Sequence, residues 1–206
     1  MDDQQGNTKK QLVDAAIDLF HEKGYQKTRV SDIVAQAGVA QGTFYLYFKS
    51  KEDVFLHISS EFTALFSRLI TEADDFFQGP SIEEIRNNLF GFIREMISLF
   101  IQNEKLTRIV FNEGSGYGGP FCAVYEGIHA QFVNLICDRL EKNRGSRYVV
   151  FEDAETVAAI LFGMFDRCMF YFMEIKKQVD VDALSRRMTD FIMGGLIGLG
   201  PDNRPF

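Results

Sequence analysis

The stretch Ile33-Val34-Ala35-Gln36-Ala37-Gly38-Val39-Ala40-Gln41-Gly42-Thr43-Phe44-Tyr45 decides how this chain is read. Two short helical runs meet at Gly38, a residue that can take the left-handed conformation which stops one helix and starts a turn. Ala35, Ala37 and Ala40 are small enough to let the two helices cross closely, while Ile33, Val39 and Phe44 supply the apolar groups between them. The pattern predicts helices over about Val30–Ala37 and Gln41–Tyr47, which together make a helix-turn-helix. Its second helix presents Gln41, Gly42, Thr43, Tyr45 and Tyr47. Glutamine can pair with adenine through two hydrogen bonds, threonine offers a hydroxyl and a methyl, and tyrosine hydroxyls suit phosphates.

The charge pattern fits that reading locally and opposes it globally. The 206 residues carry a net charge of −7, yet residues 24–51 hold Lys27, Arg29, Lys49 and Lys51 against Asp32 alone. A small basic surface on an acidic body suits a protein that touches DNA at one end.

Outward from this segment the chain is predicted to be all-α. It has only four prolines, and apolar residues recur at i, i+3, i+4 spacing rather than alternating. Thr8-x-x-Gln11 has capping-box form, so a first helix is expected to start after Thr8 and end at Gly24. Lys51 opens a long helix. Gln78-Gly79-Pro80 breaks the chain, and Ser81 caps the next helix. A shorter helix is expected to end near Asn112, and another to run from about 120 to 144. Two last helices are expected at about Glu152–Lys177 and Asp182–Leu199. The expected division is a helix-turn-helix domain over 1–50 and a helical domain over 51–206.

Further positions extend the likeness. Gly24-Tyr25, Thr28, Val30, Asp32-Ile33, Ala37-Gly38-Val39, Gly42-Thr43-Phe44-Tyr45-Leu46-Tyr47-Phe48 and Lys51-Glu52 resemble the N-terminal domain of the tetracycline-repressor (TetR/AcrR) family over about residues 8–56. The resemblance implies a three-helix DNA-binding domain, a divergent ligand-binding and dimerising domain, and repression relieved by a small molecule. It further implies that Gln41, Gly42 and Thr43 face bases of an operator duplex, while Tyr45, Tyr47 and Lys51 hold its phosphates. Two positions depart from the family pattern. Ala40 stands where Ser or Thr is common, which removes a side-chain cap. Arg29 replaces a frequent Thr and adds a cation near the DNA backbone.

The last two helices carry the expectation of a homodimer. Val157, Ile160, Leu161, Met164, Cys168 and Phe172 form one apolar face, and Phe162, Phe165, Met169 and Met173 form another. A helix apolar on both sides is covered on both sides. Phe172 and Ile192 are the expected interface residues. Gly163, Arg167, Tyr171 and Glu174 make a polar seam that serves either the interface or a pocket.

For an effector, Phe66, Ile93 and Phe132 are candidate lining residues, along with Phe62, Phe90, Ile97 and Phe111. Tyr125, His129 and Asp166 are candidates to orient a polar end. The cavity is expected to be large, aromatic and dry, and its ligand to be a lipophilic small molecule such as a fatty-acyl compound. The Gly114–Gly119 run lacks the Gly-Lys-Ser/Thr ending of a phosphate cradle and reads as a loop and a candidate ligand portal. Cys122, Cys137 and Cys168 lack ligand spacing, so free thiols in a reducing cytoplasm are expected rather than a metal. No catalytic constellation is found, so neither an enzyme nor a cofactor is expected. The first residues are polar and the longest apolar run is short, so neither a signal peptide nor membrane association is expected. Two other readings stay open at this level. One is a helical small-molecule-binding or catalytic protein without specific operator binding; the other is a constitutive regulator with no effector.

Overall fold

The computed structural model describes residues 2–73, 75–114, 122–146 and 148–196, which form helices and no strand. The helices are α1 (Asp2–Lys23), α2 (Val30–Ala37), α3 (Gln41–Tyr47), α4 (Lys51–Glu72), α5 (Ile82–Gln102), α6 (Glu104–Gly114), α7 (Cys122–Lys142), α8 (Ala154–Phe170) and α9 (Val181–Leu196), with one π-helical turn, Tyr171–Ile175, continuing α8. The all-α expectation is met. The Gly-rich run after Gly114 and the expected end of the last helix beyond Leu196 lie outside the described residues.

Helices α2, α3 and α4 start where their signals stand. Gly38 has φ +68° and donates its N–H back into α2, and Val39 N donates to Val34 O at 3.0 Å. That geometry satisfies the last carbonyls of α2 and turns the chain towards α3. Arg29 N donates to Asp32 Oδ2 at 3.1 Å, and Asp53 N donates to Ser50 Oγ at 3.2 Å. Ala40 gives α3 no side-chain cap, as expected. Helix α1 differs from the expectation, since it begins at Asp2 and leaves Thr8 inside the helix. A capping-box pattern is a local option only, and a polar helix that continues upstream has no need of it.

The chain forms two compact units, one of Met1–Leu65 and Asn103–Gly127, the other of Phe66–Gln102 and Ile128–Phe206. This packing differs from a single cut at 50/51, because the first part of α4 and all of α6 pack with α1–α3. In the first unit Leu12, Ala16, Ile33, Phe44, Phe55 and Ile58 share one buried core. Truncating Phe44, which is fully buried, would cost about 3–5 kcal/mol. Lys105 of α6 donates to Asp18 of α1 at 2.6 Å.

In the second unit α5 and α9 pack antiparallel. Arg94 pairs with Asp182 at 2.7 Å while Arg86, eight residues earlier, pairs with Asp190, eight residues later. The α4–α5 connection is held by polar groups. Asn143 Nδ2 donates to both carboxylate oxygens of Asp75 at 3.0 and 2.9 Å, and Arg139 donates to the carbonyls of Ile70 and Ala73 at the end of α4. Ser81 caps α5 as expected, accepting from Glu84 N at 3.2 Å.

Candidate nucleic-acid interface and effector cavity

Helix α3 is anchored by Phe44, whose ring lies 5.4 Å from Tyr45 and 5.9 Å from Phe48. Around that anchor Gln41, Gly42, Tyr45 and Leu46 are exposed, and Thr43 is half-buried. Tyr47 is only partly exposed, because it packs against the core of the first unit. Lys27, Arg29 and Lys49 are all exposed, so the local positive charge is presented to solvent. The arrangement is a polar, aromatic helix within a locally basic segment, residues 24–51, which is the form of a major-groove reader.

Lys51 has a different place from the one the sequence suggested. Its ammonium donates to Tyr25 O at 2.6 Å and Thr28 O at 2.8 Å, and it lies 4.0 Å from the centre of the Tyr25 ring. It therefore ties the α1–α2 connection to the start of α4, and these carbonyls compete with any phosphate for its protons.

The second unit encloses an apolar cavity of about 90 Å³. Its walls come from the end of α4, the connection after it, and α5, α7, α8 and α9. Phe66, Ile93 and Phe132 are among the residues that line it. So are Phe76, Phe77, Phe92, Met96, Phe100 and Phe162, none of which the sequence singled out for this role. Phe76 and Phe77 had a usable signal, since two adjacent large aromatics beside a Gly-Pro break seldom stay in water. In the structure Phe76 stacks on Phe92 at 4.1 Å, and Phe66 meets Phe100 at 4.3 Å.

Several expectations about the pocket are corrected. The cavity is apolar and aromatic but not large, its volume of about 90 Å³ being far below the roughly 300–1,000 Å³ of ligand sites. Among the described residues no polar side chain lines it. Tyr125 belongs to the first unit and lies outside the lining. His129 stands behind the wall, its ring edge-on to Phe162 at 4.7 Å. Burial pushes its pKa down, an effect that Asp166 opposes and Arg167 adds to. Asp166 is buried but turned to its neighbour Arg167, which donates to it at 2.6 and 2.8 Å. Phe90 is half-buried beneath Arg186, whose guanidinium lies 5.7 Å from its ring. Phe62 and Ile97 are buried in the core without lining the cavity. The side chain of Phe111 lies outside the described residues. Of the polar seam, Arg167 and Tyr171 are exposed, Gly163 and Glu174 are half-buried, and none of the four is among the residues lining the cavity.

An apolar face remains on the outside of α8 and α9, with Ile160, Tyr171, Ile175 and Phe191 exposed. Phe172 lies in a groove of about 380 Å³ between these helices. Ile192, in contrast, is buried and lines the inner cavity, so it is not a surface residue. The stretch Ala154–Ile175 is long and apolar enough to cross a membrane by length and composition alone. The same composition suits a helix whose Leu161, Phe162 and Phe165 wall an internal cavity. Among the described residues no three His, Cys, Asp or Glu side chains are grouped so as to hold a metal.

A tight helix-turn-helix with an exposed reading helix, joined to a separate helical unit, defines a DNA-binding transcriptional regulator of the helix-turn-helix class. Comparison with known proteins bears on the same segment. Residues 12–58 match the bacterial regulatory proteins of the tetR family, the family that the sequence resembles. It is similar to the HTH-type transcriptional regulator YdgC of Bacillus subtilis, with 26% identity over 96% of each chain. It is 51% identical to the fatty acid metabolism regulator protein of B. subtilis over 51 residues, which span 25% of this chain and 26% of that one. The transcriptional regulator FadR from B. subtilis, solved in complex with stearoyl-CoA, superposes with a TM-score of 0.75 at 25% identity, covering 90% of this chain and 97% of that one.

Proposed function

We propose that this chain is a homodimeric cytoplasmic repressor, released from a near-palindromic operator by a lipophilic small molecule of the fatty-acyl type. Gln41, Gly42 and Thr43 approach base edges, while Arg29, Tyr45, Tyr47 and Lys49 contact the backbone. Lys51 holds the loop beside them. The single observation that carries the effector class is the cavity of the second unit, whose lining has no polar side chain among the described residues. A sugar or nucleotide placed there would lose its hydrogen bonds to water without replacement, whereas a hydrocarbon chain loses none. The stearoyl-CoA bound by the B. subtilis FadR supports the same class.

At about 90 Å³ the cavity must widen to take an acyl chain. Met96, Met164 and Met188 in its wall are unbranched and change rotamer at little cost, so the wall can yield. The effector then favours the widened form, and repression ends if that form spaces the two reading helices wrongly. A differential affinity of ~1–3 kcal/mol is enough for a graded release.

The test is thermal-shift screening with saturated acyl-CoAs, free fatty acids and polar metabolites, followed by operator release measured by anisotropy. Acyl compounds are expected to raise the melting temperature and free the DNA. If only polar metabolites do both, the apolar-pocket reading is wrong.

A further inference from the structure

Leu46 is 81% exposed, more than any other large apolar side chain among the described residues, and it stands on the reading helix. An exposed leucine elsewhere on a surface needs no explanation. This one lies on α3, where at 100° per residue it is turned about 160° from the packed Phe44. One turn before it is Gly42, and a Cβ placed there would meet no atom within 4 Å. Leu46 therefore projects beside a bare stretch of helix, with the 55%-exposed Tyr45 before it in the chain.

That placement restricts what Leu46 can bind. Its side chain has no donor or acceptor, so it can neither hold a phosphate nor read a polar base edge. On the base edges of the major groove the apolar group is the 5-methyl of thymine. The empty space over Gly42 lets the helix backbone sink far enough for a side chain one turn later to reach that depth.

We propose that Leu46 is a specificity-determining residue that packs against the 5-methyl group of one thymine in each operator half-site. This rests on the DNA-reading role given to α3 above. The contact would be read independently of the hydrogen bonds made by Gln41 and Thr43. It also carries no charge, so it leaves the salt dependence of binding unchanged.

The experiment uses the full chain. A binding sequence is first selected from random duplex DNA, and each of its thymines is then replaced by deoxyuridine, symmetrically in both half-sites. The replacement removes only the methyl. Wild-type protein is expected to lose affinity by about fourfold per half-site at one thymine position, the effect of exposing one methyl-sized apolar group. Leu46→Ala is expected to bind the thymine duplex more weakly and to be indifferent to deoxyuridine at that same position. Being so exposed, Leu46 can be replaced without disturbing the fold, and an unchanged melting temperature checks this. The proposal is overturned if no thymine position matters to the wild type, or if Leu46→Ala keeps the wild-type sensitivity. Equal weakening by Leu46→Ala on selected and random duplexes overturns it too, since Leu46 would then pack on the sugar backbone. Failure to enrich any sequence at all strikes the operator-binding reading itself.

Discussion

Lys51 opens α4 beside a basic segment, and from its position alone it reads as a phosphate ligand. The structure shows its ammonium between two carbonyls and over an aromatic ring, with Tyr25 lying 26 residues away in the chain. Lys51→Ala would leave those part-buried carbonyls without their charged donor. It is expected to lower the stability of the protein by about 1–3 kcal/mol in urea denaturation. Lys51→Arg, with its larger planar head, should recover only part of this. An alanine variant with the wild-type unfolding midpoint would return Lys51 to the DNA backbone. Gln41 shows the opposite case. It has no role in the core, so Gln41→Ala should leave stability unchanged and relax preference at one base pair per half-site, losing ~1–3 kcal/mol there.

At the scale of the element, α2, α3 and α4 were legible to the residue because their stops and starts are local. Gly38 supplies its left-handed turn whatever surrounds it, and Ser50 reaches a backbone N–H three residues on. The missing cap of α3 was legible for the same reason. Ala40→Ser is expected to stabilise the first unit by about 0.5–2 kcal/mol by giving the first turn of α3 a side-chain acceptor. A raised thermal midpoint checks this. A midpoint at or below the wild type would mean that the serine hydroxyl cannot reach the N–H groups it should cap. The start of α1 was not legible, since nothing local forbids a polar helix from running on past a capping pattern.

At the scale of the molecule, α8 and α9 carry an apolar outer face, and in the homodimer proposed above a second copy would cover it and bring two reading helices to a two-fold operator. Of two neighbours on α9, Phe191 is 67% exposed while Ile192 faces the inner cavity. Phe191→Glu is therefore expected to give monomers in sedimentation while the acyl-induced thermal shift persists. Ile192→Glu would bury a charge in the cavity wall and damage the fold instead. A Phe191→Glu protein that still sediments as a dimer would place the interface elsewhere. The sequence by itself determined the helices, the helix-turn-helix and the groups that α3 displays, because each follows from signals within a few residues and from the 3.6-residue period. Only the tertiary structure decided which apolar residues line a cavity, which merely fill core, and which lysine is held by carbonyls. Those outcomes depend on side chains from distant parts of the chain, such as Phe66, Phe100 and Met188, arriving at one place. A periodic pattern fixes which residues turn inward, but it carries no record of what they will meet there.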